Sequence, residues 1–107
     1  MAREAQSSEI DSARAREIAR EVAKLARSLL GESTQVIWFG SWPQQKALAH
    51  SDIDVAVSIG TPIPLERMAL LHDAVDDIAT LYELDLVDLS SAGPVLREEV
   101  LKHGERL

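Results

Sequence analysis

A chain of 107 residues with 46% hydrophobic content is long enough for one folded core and too apolar to be disordered. It has no cysteine, which removes disulfides, zinc–thiolate sites and thiol nucleophiles, and no apolar run near the roughly 20 residues that span a bilayer. The net charge of −7 is uneven, with six Lys/Arg against five Asp/Glu in residues 1–30 and five against thirteen in residues 31–107. Such a body repels a nucleic-acid backbone, and it would hold a polyphosphate only through bridging divalent cations. Neither direct nucleic-acid binding nor membrane insertion is therefore expected. The Ala-, Ser- and Arg-rich start has the flavour of a transit peptide, but Glu4, Glu9, Asp11, Glu17 and Glu21 argue against one, which leaves a cytoplasmic location as the default.

From about Ser8 to Leu30, Ile18, Val22, Leu25 and Leu29 recur at helical spacing, with Ser8 and Asp11 as a capping pair and Gly31 as the stop. Gln35 to Phe39 is a β-branched and aromatic run ending at Gly40, and reads as a buried strand. A turn or short helical segment, Trp42 to Ala49, follows. Ile53 to Ile59 reads as a second strand, closed by Gly60, Pro62 and Pro64. Leu65, Met68, His72, Val75 and Ala79, joined by Leu71 and Ile78, mark one helical stripe. Leu84 to Leu89 is a third strand. Pro94 stands in the first turn of a last helix with Val95, Leu96, Val100 and Leu101 as its apolar face. The order predicts an α/β (α+β) domain, a small mixed sheet flanked by helices, within a single unit spanning 1–107: an N-terminal helix over 1–31, a sheet core over 35–89 and a C-terminal helix over 92–104. The short link between the first two strands permits an antiparallel or mixed pairing.

Chemistry-bearing residues gather in three places. Gly40-Ser41 follows a strand, where a glycine admits a ligand close to the backbone and the next amides and a hydroxyl can donate to phosphate oxygens. Asp52 and Asp54 enter the second strand on one side, with Ile53 facing the core; two like charges side by side call for a compensating cation, which a divalent metal supplies. Asp85 and Asp88 interrupt the third strand and point to opposite faces, so only one can join that pair, and parity leaves open which. Three carboxylates on adjacent strands beside a phosphate-cradling turn meet the needs of two-metal nucleotidyl transfer.

Gly40-Ser41, ten intervening residues and then Asp52-Ile53-Asp54 resemble the signature of the DNA-polymerase-β-like nucleotidyltransferases, and in particular the minimal nucleotidyltransferases, small prokaryotic proteins often paired with a HEPN-domain partner. The likeness runs from Val36 to Leu107 and includes the Val36–Phe39 and Asp85–Leu89 strands. It implies a mixed sheet with the site at its edge. Gly40 and Ser41 would contact the β- and γ-phosphates of ATP, and Asp52 and Asp54 would bind both Mg²⁺ ions. Asp85 is the match to the third metal-binding carboxylate, which favours deprotonation of the acceptor; Asp88 then has a supporting or structural place. One stretch departs from the family. Where many members carry Arg-Ala-Arg-Gly, this chain has Trp42-Pro43-Gln44-Gln45, with Lys46 as the nearest replacement cation.

The function expected is transfer of AMP from ATP to an acceptor hydroxyl. The elements use nearly the whole chain, so the acceptor is expected on another polypeptide; the resemblance makes that a HEPN toxin and this chain its antitoxin. Two alternatives stand beside it: a binding module that neutralises or scaffolds such a partner by contact alone, and transfer to a small molecule such as an antibiotic. A homo-oligomer is compatible with either. His50, two residues before Asp52, is within reach of a ligand but reads as surface, His72 and His103 read as packing and helix-end residues, and Asp73, Asp76 and Asp77 as a solvated face; Trp42 is open to stacking on a base or a partner protein or to covering the core edge.

Overall fold

A computed structural model describes residues 9–48 and 51–107; Ser8, Ala49 and His50 lie outside the described residues. Helix α1 spans Glu9–Leu30, strand β1 Gln35–Phe39 and strand β2 Ile53–Ser58. Helix α2 (Leu65–Asp76) leads to β3 (Leu84–Asp88), a 3-10 turn at Leu89–Ser91, helix α3 (Pro94–His103) and a two-residue strand β4 at Glu105–Arg106. The expected order of elements is present, with β4 added at its end.

The strands form one mixed sheet in the order β3-β2-β1-β4. β1 is antiparallel to β2 and to β4, while β2 and β3 run parallel. The parallel pair follows from its connection: α2 carries the chain back over the sheet before β3 begins. Side-chain alternation then gives the sheet two covered faces. On one, Val36, Trp38, Ile53, Val55 and Val57 pack with α1 and with Leu71 and Val75 of α2. On the other, Ile37, Phe39 and Ala56 meet Leu89 and Val100 of α3.

α1 buries a stripe of small residues, Ala15, Ala19, Val22, Ala23 and Ala26, closed by Leu30. Ile18, Leu25 and Leu29, the large residues that the spacing singled out, are only partly buried beside it. Alanines let the helix approach its neighbours closely, so the contact is set by the small side chains. Two arginines of α1 hold the distal strand edge. Arg16 stacks over the Trp38 ring at 5.2 Å and pairs with Glu105, while Arg27 donates to the carbonyls of Thr34 (3.2 Å) and Leu107 (2.8 Å).

Of the residues expected on this stripe, Met68, Leu71 and Val75 pack inward, as does Ile78 just past the end of α2, while Leu65, His72 and Ala79 are exposed. Burying the apolar members and leaving the imidazole in water avoids the cost of desolvating it. In α3 only Val100 of the four expected apolar residues is buried; Val95 is 82% and Leu101 53% exposed, because the helix meets the sheet chiefly along β1. β4 escaped the sequence because Glu-Arg carries no strand signal. It forms where Gly104 ends α3: a β-carbon there would overlap the Ile37 side chain and the Val100 carbonyl, and its absence lets the chain settle on β1. No helix among the described residues is long and apolar enough to cross a membrane.

Candidate active site

β1 ends at Phe39, and Gly40 turns the chain with φ +88°. That conformation disfavours a side chain, and a β-carbon at Gly40 would also overlap Oδ2 of Asp54 on the neighbouring strand. Gly40 thus lets the turn and the carboxylate lie against each other. The turn over residues 41–45 is closed by the Gln45 amide on the Trp42 carbonyl (3.0 Å) and the Lys46 amide on the Ser41 carbonyl (2.9 Å). Gln45 takes φ +60°, the left-handed conformation of a residue standing where the related motif carries glycine. The Gln44 side-chain amide donates to the Gly40 carbonyl and to Glu99 of α3, both at 3.2 Å. The turn is therefore kept despite the altered residues.

The return to β2 is pinned from below. Trp42 is buried, its Nε1–H donates to the Ser51 carbonyl at 3.0 Å, and its ring meets Tyr82 edge-on with centroids 5.7 Å apart. Ser51 is tied to Leu48: its hydroxyl accepts from the Leu48 amide at 2.8 Å, and its amide donates to the Leu48 carbonyl at 3.1 Å. At the first residue of β2 the Ile53 amide bonds the Glu83 carbonyl at 2.9 Å, which fixes the entrance of β3 beside that of β2.

Strand register decides what parity left open. Phe39 pairs with Asp54, and Asp54 pairs with Asp85, so the two acids lie in one row and on one face, the face that α3 covers. Their carboxyls are close enough for each to feel the other's charge. Burial, then the charges of Asp85 and Asp52, push Asp54 up from 3.8 to about 6. Asp52 stands exposed before β2, near enough for its charge to act on Asp54. Asp88 faces the other way and serves the backbone behind the sheet. Its Oδ2 accepts from the Ile63 amide at 2.8 Å, and its Oδ1 from the Ser90 amide at 3.0 Å, capping the 3-10 turn. Gly40, Asp54 and Asp85 are thus brought together, Ser41 is half-buried at the start of the adjoining turn, and Asp52 sits at the rim.

Among the described residues no three acidic, histidine or cysteine side chains already converge as a metal-binding set; Asp54 and Asp85 share a row of the sheet and Asp52 stands at its rim. The pair nonetheless suits a hard cation. Its donors are carboxylate oxygens, and among the described residues no basic side chain forms an ion pair with Asp54 or Asp85. Ionising both without a counter-charge is unfavourable, and a divalent ion relieves that repulsion.

Other residues fall elsewhere. His72, Lys46, Asp73, Asp76 and Asp77 are exposed, and His103 lies in the last turn of α3. A groove of about 1340 Å³ runs between α1 and the 77–82 segment, lined by Ile18, Leu25, Asp77, Leu81 and Tyr82 among others. The acid pair faces the other side of the sheet, so the groove is not its pocket. Sequence reading did not foresee the bonds that Trp42 and Gln44 make; a tryptophan next to a Gly-Ser turn was the available signal for the first.

Residues 16–107 match the family model described as polymerase beta, nucleotidyltransferase. Over 88 residues the chain is 31% identical to the protein adenylyltransferase MntA of Shewanella oneidensis, an alignment that covers 81% of this chain and spans 62% of the length of that relative. A solved structure assigned as a minimal nucleotidyltransferase is similar at a TM-score of 0.68 and 27% identity, covering 94% of this chain and 100% of that one. A complex of the tri-AMPylated Shewanella oneidensis HEPN toxin with its MNT antitoxin is similar at a TM-score of 0.58 and 27% identity, covering 86% of this chain and 70% of that one.

Proposed function

The chain belongs to the polymerase-β nucleotidyltransferase family, and from that premise we propose that it transfers AMP from ATP to a hydroxyl of a HEPN-type partner protein, acting in the cytoplasm as the antitoxin of the pair. The observation that carries this reading is the row Asp54–Asp85 lying directly against Gly40. It places paired carboxylates beside a turn that admits phosphate.

Gly40 and Ser41 receive the β- and γ-phosphates, with the open backbone at Gly40 allowing the close approach. Asp52 and Asp54 would hold two Mg²⁺ ions, with Asp85 beside Asp54. Bound there, Mg²⁺ would supply charge for the triphosphate and lower the pKa of the acceptor hydroxyl. The Asp54–Asp85 pair keeps that hydroxyl in line with the α-phosphorus and takes up its proton. The acceptor oxygen forms its bond to the α-phosphorus as the bond from phosphorus to the β-phosphate oxygen breaks, and pyrophosphate leaves with that electron pair. The relative that is named a protein adenylyltransferase, and the AMPylated toxin in the similar complex, support a protein acceptor.

Incubating the chain with Mg²⁺, ATP and a HEPN-domain partner protein tests the reading by intact mass. The partner is expected to gain AMP-sized increments with the wild type and none with the Asp52→Asn/Asp54→Asn double variant. An unmodified partner, or a double variant that protects cells as well as the wild type, would leave only contact-based neutralisation.

A further inference from the structure

We infer that Trp42 is a positioning residue for the proposed reaction, a single rigid ring that sets the phosphate turn, Asp52 and the entrance of the Asp85 strand in register with one another. The inference rests on the proposed nucleotidyl transfer and names a residue that the motif does not include.

Three segments must hold fixed relative positions for the site to work: the turn carrying Gly40 and Ser41, the entry to β2 carrying Asp52, and the entry to β3 carrying Asp85. Trp42 touches all three. Its backbone belongs to the turn, directly after Ser41. Its Nε1–H donates to the carbonyl of Ser51, the residue before Asp52, at 3.0 Å. Its ring packs edge-on against Tyr82, centroids 5.7 Å apart, two residues before β3 begins. The indole is only 2% exposed, so it does not stack on a nucleotide base, and its donor has a specific acceptor inside the protein.

The need for such a brace is visible in Asp52. It is exposed and lies before the first residue of β2, where the sheet ladder no longer holds the backbone. Asp54 and Asp85, by contrast, are fixed by their register. Of the three acids, Asp52 therefore depends most on the loop that carries it. The Ser51–Leu48 bonds act locally, while the bond from Trp42 ties Ser51 to the turn that carries Gly40 and Ser41. A tryptophan that only filled the core would lose stability on becoming phenylalanine, without a selective loss of rate or metal affinity. A brace loses its grip when the donor is removed.

Trp42→Phe keeps an aromatic ring for Tyr82 and removes the N–H donor. Val22→Ala, in the α1 contact on the same face of the sheet but away from the turn, serves as a control of matched destabilisation. Below the melting temperature of both, Trp42→Phe is expected to lower kcat for AMP transfer roughly tenfold with the KM for ATP nearly unchanged, since misplacement of a reacting group costs rate more than binding. It should also weaken Mn²⁺ binding to the chain alone, followed by electron paramagnetic resonance, while Val22→Ala changes neither. Equal kcat and Mn²⁺ affinity in Trp42→Phe and wild type, or equal losses in Trp42→Phe and Val22→Ala, overturn the inference. A wild type that binds Mn²⁺ but transfers no AMP removes the proposed function, and the Mn²⁺ comparison still decides on Trp42. A wild type that does neither removes both.

Discussion

Replacing Asp54 by asparagine should make the protein without metal more stable at neutral pH, which is unusual for a half-buried polar residue in a sheet. The Asp54 carboxyl is raised to about 6 from 3.8 by burial and by Asp85 and Asp52. Between those values the folded chain keeps a proton that the unfolded chain has lost, so stability falls as pH rises through this window and is level above it. The full difference corresponds to roughly 3 kcal/mol, which solvent screening at a half-buried group reduces to about 1 to 2 kcal/mol. An asparagine side chain carries no charge at any pH and could still donate to Asp85. Thermal unfolding in chelator at pH 7.5 is thus expected to show a midpoint higher by about 5–10 °C in Asp54→Asn, the gain shrinking towards zero as pH approaches 4. Added Mg²⁺ should raise the wild type and close the gap, because only the wild type gains a bound ion. A variant less stable than the wild type at pH 7.5, or a gap of equal size at pH 4.5 and 7.5, would refute the reasoning.

Gly40→Ala should destabilise by about 2–4 kcal/mol in chemical denaturation, from the positive φ and from overlap with the Asp54 carboxylate, and should weaken ATP binding by calorimetry. Gln45→Gly should do the opposite, raising stability by about 0.5–1 kcal/mol, since it relieves a left-handed glutamine against the greater freedom of glycine in the unfolded chain. Asp88→Ala should cost about 1–3 kcal/mol through the orphaned amides of Ile63 and Ser90, yet leave the transfer rate per folded molecule unchanged.

Much of the site was legible because its parts are local. A strand that ends in Gly-Ser and a strand that opens with Asp-Ile-Asp can be read from alternation alone, and like-charged neighbours already ask for a cation. The choice between Asp85 and Asp88 was not local. It depends on how β3 registers against β2, and a shift of one residue would exchange the faces of the two acids. The resemblance named Asp85, and the register places Asp85 opposite Asp54 while Asp88 caps the turn behind it. The helices were less legible for a different reason. Each offered more apolar residues than it buries, and the burying stripe was chosen by tertiary fit: the alanines of α1 over its larger residues, and Leu71 over His72 in α2.

The segment Trp42–Gln45 reverses the first impression that it gives. Read as a string, it lacks the glycine and the arginines of the related motif, and so it looks like a site losing its turn. The backbone keeps the turn all the same, for Gln45 adopts the left-handed conformation of the glycine it replaces, at a steric cost. Trp42 and Gln44 then supply bonds to Ser51, Gly40 and Glu99 that hold the turn from within. What the chain gives up is fixed positive charge beside the phosphates. In the proposed reaction, with no described basic side chain paired to the acids, the load of neutralising a triphosphate would fall more heavily on the metal ions. The expected consequence is a steep dependence on Mg²⁺: restoring charge with Gln44→Arg should lower the Mg²⁺ concentration for half-maximal transfer by several-fold, read from rate against metal at fixed ATP. An unchanged midpoint would mean that the charge at this position plays no part in holding the triphosphate.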